Sequence, residues 1–62
     1  MKQKIVICVK DPQSEEGFSV LQSMKWVIDE EKGMYYIYLE NGIHFEFPKK
    51  TVVWVKFEEV NE

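Results

Sequence analysis

The chain begins with an unbroken apolar run, Ile5-Val6-Ile7-Cys8-Val9, set between Lys4 and Lys10. Such a run, with no polar alternation, predicts a strand buried on both faces and central in its sheet. Asp11-Pro12-Gln13-Ser14-Glu15-Glu16-Gly17 is polar and carries both Pro and Gly, so it reads as a loop. Strict alternation appears in the second half. Ile43, Phe45 and Phe47 alternate with His44 and Glu46, and Val53, Val55 and Phe57 alternate with Trp54, Lys56 and Glu58. Both segments predict strands with one face in the core. Pro48-Lys49-Lys50 between them reads as a turn or a single short helical turn, and Val60-Asn61-Glu62 as a terminus that frays.

Phe18 to Asp29 fits two periods. At period two, Val20, Met24, Trp26 and Ile28 share a face; at the helical period, Phe18, Leu21, Met24 or Lys25, and Ile28 do. Asp29, Glu30 and Glu31 would lie at the negative end of such a helix, and Gly17 would interrupt its start. A long strand is therefore favoured over a helix. Met34 to Glu40 is a strand rich in Tyr and Ile, preceded by a hairpin loop over Asp29 to Gly33.

Asn41-Gly42 is the strongest short hairpin signal, because a type I′ turn needs positive φ at both central residues. With those two as the loop, Glu40 pairs with Ile43, Tyr38 with Phe45 and Tyr36 with Phe47. That register predicts Tyr36 and Tyr38 in the core and turns Ile37 and Leu39 outward. The last strand, with Val53, Val55 and Phe57 inward, turns Val52 and Trp54 outward. The expected second face is then Ile37, Leu39, Val52 and Trp54 beside His44, Glu46 and Lys56, an apolar patch of the kind that marks a contact surface. Two alternatives place the cover inside the molecule. A bent barrel or a β-bulge buries residues of both parities, and the segment from Pro12 to Phe18 could fold over the face.

Composition supports sheet. There is no alanine, and two leucines stand against fourteen Val, Ile and Thr and nine aromatics. Sixty-two residues allow one domain, spanning 1–62, whose core supplies only about 3–5 kcal/mol. The single Cys8 excludes an internal disulfide, and Cys8 with His44 cannot complete a four-ligand structural zinc site. Self-association or a partner is then the usual remaining support.

The net charge is −3, carried with eight lysines and no arginine. A mildly acidic chain without arginine is a poor fit to duplex nucleic acid or to anionic membranes. The apolar run is too short for a signal-peptide core or a membrane span, so a cytoplasmic location is expected.

His44 and Glu46 lie two apart on one face of a strand, which reads as a sheet-surface pair before an acid–base dyad. Cys8 inside an apolar run reads as an inert buried thiol. No serine or threonine sits in a nucleophile motif, the three glycines stand apart, and the acidic clusters lack calcium-loop spacing.

The expected fold is all-β: a small five-strand antiparallel meander, curled into an SH3-like barrel or a bent sheet. The alternative is α+β, with four strands and one helix at about 13–31. The expected function is a non-enzymatic protein-interaction module, self-associating or acting as a small inhibitor or adaptor of a larger protein, with no cofactor, metal or small-molecule substrate. Its interface residues are Ile37, Leu39, His44, Glu46, Val52 and Trp54. The rival reading is a single-stranded nucleic-acid binder using Trp54 with Lys49, Lys50 and Lys56. A third is an enzyme fragment or subunit using His44 and Glu46.

Overall fold

The computed structural model describes residues 2–61. Six antiparallel strands form two three-stranded sheets. The first sheet has the order β2-β1-β6, from β2 (Phe18–Ser23), β1 (Lys2–Lys10) and β6 (Val52–Val60). The second has the order β3-β4-β5, from β3 (Lys25–Asp29), β4 (Met34–Tyr38) and β5 (His44–Pro48). A single 3₁₀ turn, Lys49–Thr51, links β5 to β6. β2 and β3 are separated only by Met24. Counted as one bent strand, they make the molecule the expected five-strand meander, whose last strand returns to pair with the first.

The helix alternative at 13–31 is not what forms. Residues 11–17 make a tight loop, and the rest of that stretch is β2, β3 and the β3–β4 turn. Asp11 organises the loop: its carboxylate accepts from the Gln13 N–H at 3.0 Å and from the Ser19 hydroxyl at 2.5 Å, and its carbonyl accepts from the Ser14 N–H. The Ser19 hydrogen bond, then that of Gln13, holds the Asp11 carboxyl below its ordinary value of 3.8.

The core lies between the sheets. Ile5, Ile7 and Val9 from β1 meet Ile37 from β4, with Leu21, Trp26, Tyr35, Leu39, Phe47, Val52 and Val55 packed around them. Ile5, Ile7 and Ile37 are fully buried, each stabilising the fold by about 2–3 kcal/mol relative to exposure. β1 is central and buried on both faces, as its unbroken apolar run implies: Val6 and Cys8, on the side away from the core, are only 4% and 5% exposed.

Three local irregularities decide which side chains reach this core. The first is at the bend. Leu21 and Ser23 of β2 and Trp26 and Ile28 of β3 all face inward, so parity changes across Met24. Val20 therefore does not share a face with Trp26 and Ile28. Ser23 holds the bend: its hydroxyl accepts from the Lys25 N–H at 3.0 Å and lies within donating distance of the carbonyls of Lys25 and Tyr38, which ties the corner to β4.

The second is the hairpin. Tyr38 pairs with His44, Ile37 with Phe45, Tyr36 with Glu46 and Tyr35 with Phe47. The loop is one residue longer than a plain two-residue turn: the Leu39 N–H donates to the Ile43 carbonyl at 2.8 Å, leaving Glu40, Asn41 and Gly42 between them. Asn41 and Gly42 do take positive φ, 77° and 75°. Because side chains alternate with period two, this one-residue change exchanges both faces of β4 relative to β5. Tyr36 and Tyr38 turn outward; Ile37 and Leu39 turn into the core.

The third is a bulge in β6. Cys8 pairs with Trp54 and Val9 with Val52, so Val53 has no partner in the ladder. Val55 and Phe57 face inward as expected, but so does Val52, while Val53 is exposed. At the terminus, Val60 pairs with Lys2 as the last residue of β6 rather than fraying; Glu62 lies outside the described residues.

Candidate interaction face

The six residues expected to form one interface occupy three separate places. Ile37 is fully buried in the core, and Leu39 and Val52 pack against it, so these three build the fold. His44 and Glu46 lie together on the outer face of the second sheet. Trp54 lies on the outer face of the first.

On the outer face of the second sheet, pairing aligns Lys25, Val27 and Asp29 of β3 with Tyr38, Tyr36 and Met34 of β4, and these with His44, Glu46 and Pro48 of β5. The Lys25 ammonium sits 5.6 Å from the Tyr38 ring centroid, and the Tyr38 and His44 rings are 5.8 Å apart. His44 Nε2 is 3.5 Å from Glu46 Oε2, with both side chains about half exposed. With both side chains open to water, the geometry is that of a solvated contact. Cys8, the only thiol, is buried. Among the described residues, no cluster of three or more His, Cys, Asp or Glu could hold a metal ion.

On the outer face of the first sheet, Val20 of β2, Cys8 of β1 and Trp54 of β6 form one row across all three strands. Phe18 and Lys10 extend it on one side, and Gln22, Val6 and Lys56 on the other. Phe18, Val20 and Trp54 are 47%, 54% and 42% exposed, although Cys8 and Val6 between them are buried. The large rim side chains shelter the small central ones but are themselves left open to water. Lys56 holds its ammonium 5.8 Å from the Trp54 ring centroid and 3.0 Å from Glu58, which Lys4 also approaches at 3.6 Å. The Lys56 hydrogen bond and charge, helped by Lys4, hold the Glu58 carboxyl below its ordinary range.

Phe18 and Val20 are the members that sequence reading missed. Their signal lay in β1. A strand apolar on both faces needs cover on both, so alternate apolar positions in its neighbour, Phe18 and Val20 against Leu21, mark a second apolar face.

An open groove of about 480 Å³ lies at the bend, lined by Met24, Lys25, Tyr38, Leu39 and Glu40 among others. Among the described residues, no helix is long and apolar enough to cross a membrane. Comparisons with protein-family models, with curated proteins and with solved structures each gave no match.

Proposed function

We propose that the chain is a non-enzymatic protein-interaction module whose contact face is the outer side of the β2-β1-β6 sheet. The observation that carries this reading is the row Val20–Cys8–Trp54 with Phe18 beside it: three exposed, large apolar side chains gathered on one sheet face. Contiguous apolar surface of this kind marks contact sites on soluble proteins. Covering a few hundred Å² of it returns several kcal/mol before association costs, at about 25 cal/mol/Å². The partner is a second copy or a larger protein for which this chain acts as an adaptor or inhibitor, and the setting is the cytoplasm.

The test compares the intact chain with Trp54→Ser and Val20→Ser. Light scattering reads self-association, and capture from lysate reads other partners, with thermal melting as the check on folding. The expected result is partner capture weakened at least about tenfold in both variants, through the face they share, at unchanged melting temperature. A wild-type chain that stays monomeric and captures nothing the variants lose would sink the reading.

A second reading draws on the Lys56 ammonium over the Trp54 ring, with Lys10 on the same face: single-stranded nucleic acid stacking on Trp54. It predicts a polarisation change with a labelled oligothymidylate at low salt that collapses as salt rises. Absence of any change at low salt removes it.

A further inference from the structure

We infer that β6 is a self-pairing edge: two copies of the chain join β6 to β6, antiparallel about a two-fold axis at Phe57, into one six-stranded sheet. The inference rests on the self-association within the reading above but places it at the edge of that sheet, which leaves Phe18 and Val20 on the outer face open to a further partner.

β6 ends the order β2-β1-β6, so one of its sides pairs with β1 and the other presents its N–H and C=O groups to solvent. At nine residues it is longer than the other strands that end a sheet. β3 and β5 have five residues each; β3 lies beside β1, and β5 ends in Pro48, which has no N–H to donate.

Charge selects the register. A two-fold axis perpendicular to the sheet keeps outward residues opposite outward residues, which restricts the pairing to a few alignments. An axis at Lys56 sets two ammonium groups face to face. One at Glu58 does the same with two carboxylates. One at Val55 runs the pairing through the bulge at Val53 and leaves Lys56 and Glu58 without an opposite charge across the axis. An axis at Phe57 instead sets Lys56 opposite the partner's Glu58 and Glu58 opposite the partner's Lys56; on the core side it sets Val55 opposite the partner's Glu59, whose side chain is exposed and reaches water. Trp54 then lies across from the partner's Val60, which carries the apolar row towards the second molecule.

Phe57 supplies a second observation. It points to the core side of the sheet and meets Trp26 at 5.5 Å between ring centroids, yet it is 47% exposed. On the axis it is covered by the partner's Phe57. Lysine and glutamate on an edge strand normally block indiscriminate pairing; here they leave one alignment open. The contact spans Trp54–Val60, about 20 Å at strand spacing, which places the dimer at the small end of specific interfaces.

Two experiments on the intact chain test this register. Lys56→Glu and Glu58→Lys each set like charges across the axis in both pairs. Each is expected to weaken the dimer at least about tenfold in light scattering. A one-to-one mixture of the two variants restores opposite charges in both pairs and is expected to form the heterodimer. Separately, single cysteines at Val55, Lys56, Phe57 and Glu58 are oxidised gently and read on non-reducing gels, with buried Cys8 as the internal blank. Only Phe57→Cys faces its own copy, so it is expected to cross-link at least about tenfold faster than the other three.

A wild-type chain that remains monomeric to about 1 mM overturns the proposal, as does a mixture that stays monomeric or a cross-linking maximum at another position. The mixing experiment leaves Phe57 intact, so a folding defect in Phe57→Cys does not blunt the test. These readouts are also distinct from loss of partner capture in Trp54→Ser. A monomeric chain that still captures a partner through Trp54 overturns the edge pairing alone. A dimer with the expected register that captures no protein which Trp54→Ser and Val20→Ser lose overturns the face alone.

Discussion

The two sheets share one core but finish their outer faces in opposite ways. On the second sheet, the outward aromatics are Tyr36 and Tyr38, flanked by Lys25, His44 and Glu46. These side chains have an apolar body and a polar end, and Lys25 and His44 lie against the Tyr38 ring. The body covers the sheet while the end stays wet. On the first sheet, the outer strands hold Phe18, Val20 and Trp54, of which only the indole has a polar handle, where those of the second hold Lys25, Asp29, His44 and Glu46 with Val27 as the one exposed large apolar side chain. Its central residues, Val6 and Cys8, are nonetheless well buried. The comparison teaches that the apolar surface a sheet face leaves exposed is set by its rim, not its centre. A sheet can bury a central strand with its own neighbours, but the neighbours need polar ends to close the surface.

The largest expected effect tests whether the two sheets do share one core. Ile7→Ala in β1 and Ile37→Ala in β4 each remove a fully buried side chain, at about 2–5 kcal/mol. That matches the whole stability expected of so small a domain, so both variants should be largely unfolded at 25 °C by circular dichroism and amide NMR dispersion. A folded Ile37→Ala beside an unfolded Ile7→Ala would mean the second sheet is an appendage.

Next is the corner that joins the sheets. Ser23→Ala leaves the carbonyls of Lys25 and Tyr38 without the hydroxyl, and should lower stability by about 1–3 kcal/mol in urea unfolding. Gly42→Ala follows at about 1–2 kcal/mol, since an L-residue there must hold a positive φ of 75°. An unchanged urea midpoint in Gly42→Ala would mean the hairpin register is held by the sheet and not by its loop.

The outer faces separate in a smaller measurement. Tyr38→Ser should leave partner capture unchanged where Trp54→Ser reduces it, since only the first sheet presents the open apolar row. Equal loss in both would erase the difference between the faces.

The smallest effect is on acid stability. The Asp11 carboxyl is lowered by the Ser19 hydroxyl, so it binds its proton less readily folded than unfolded. Its contribution is complete above the ordinary value of 3.8 and disappears as pH falls through the lower folded value. Melting followed from pH 5 downward should show a shallower acid limb in Asp11→Asn. Glu58, lowered by Lys56 and Lys4, acts in the same direction, so Glu58→Gln should flatten the limb further.

Much of the fold was legible in the residues themselves. The double-faced burial of β1, the polar loop after it, positive φ at Asn41 and Gly42, and the short helical turn after Pro48 follow from local patterns. The candidate face was legible only at Trp54. Ile37, Leu39 and Val52 were assigned outward because each parity was counted from a regular strand or turn. A three-residue loop, a bulge at Val53 and a corner at Met24 each shift the count by one. Such a shift moves every later side chain to the other face.

Sequence alone determined the class of structure and which segments are strands, because hydrophobic period, turn chemistry and β-branched content act over a few residues. It also determined that β1 is central, since no edge strand could hide five consecutive apolar residues. Only the tertiary structure decided which way the side chains of β2, β4 and β6 point. The physical reason is that a loop length, a bend or a bulge is chosen by the packing it permits. Burying Ile37, Val52 and Trp26 together is worth more than a regular ladder. The same packing gathers Phe18, Val20 and Trp54 on one exposed face although they come from strands far apart in the chain.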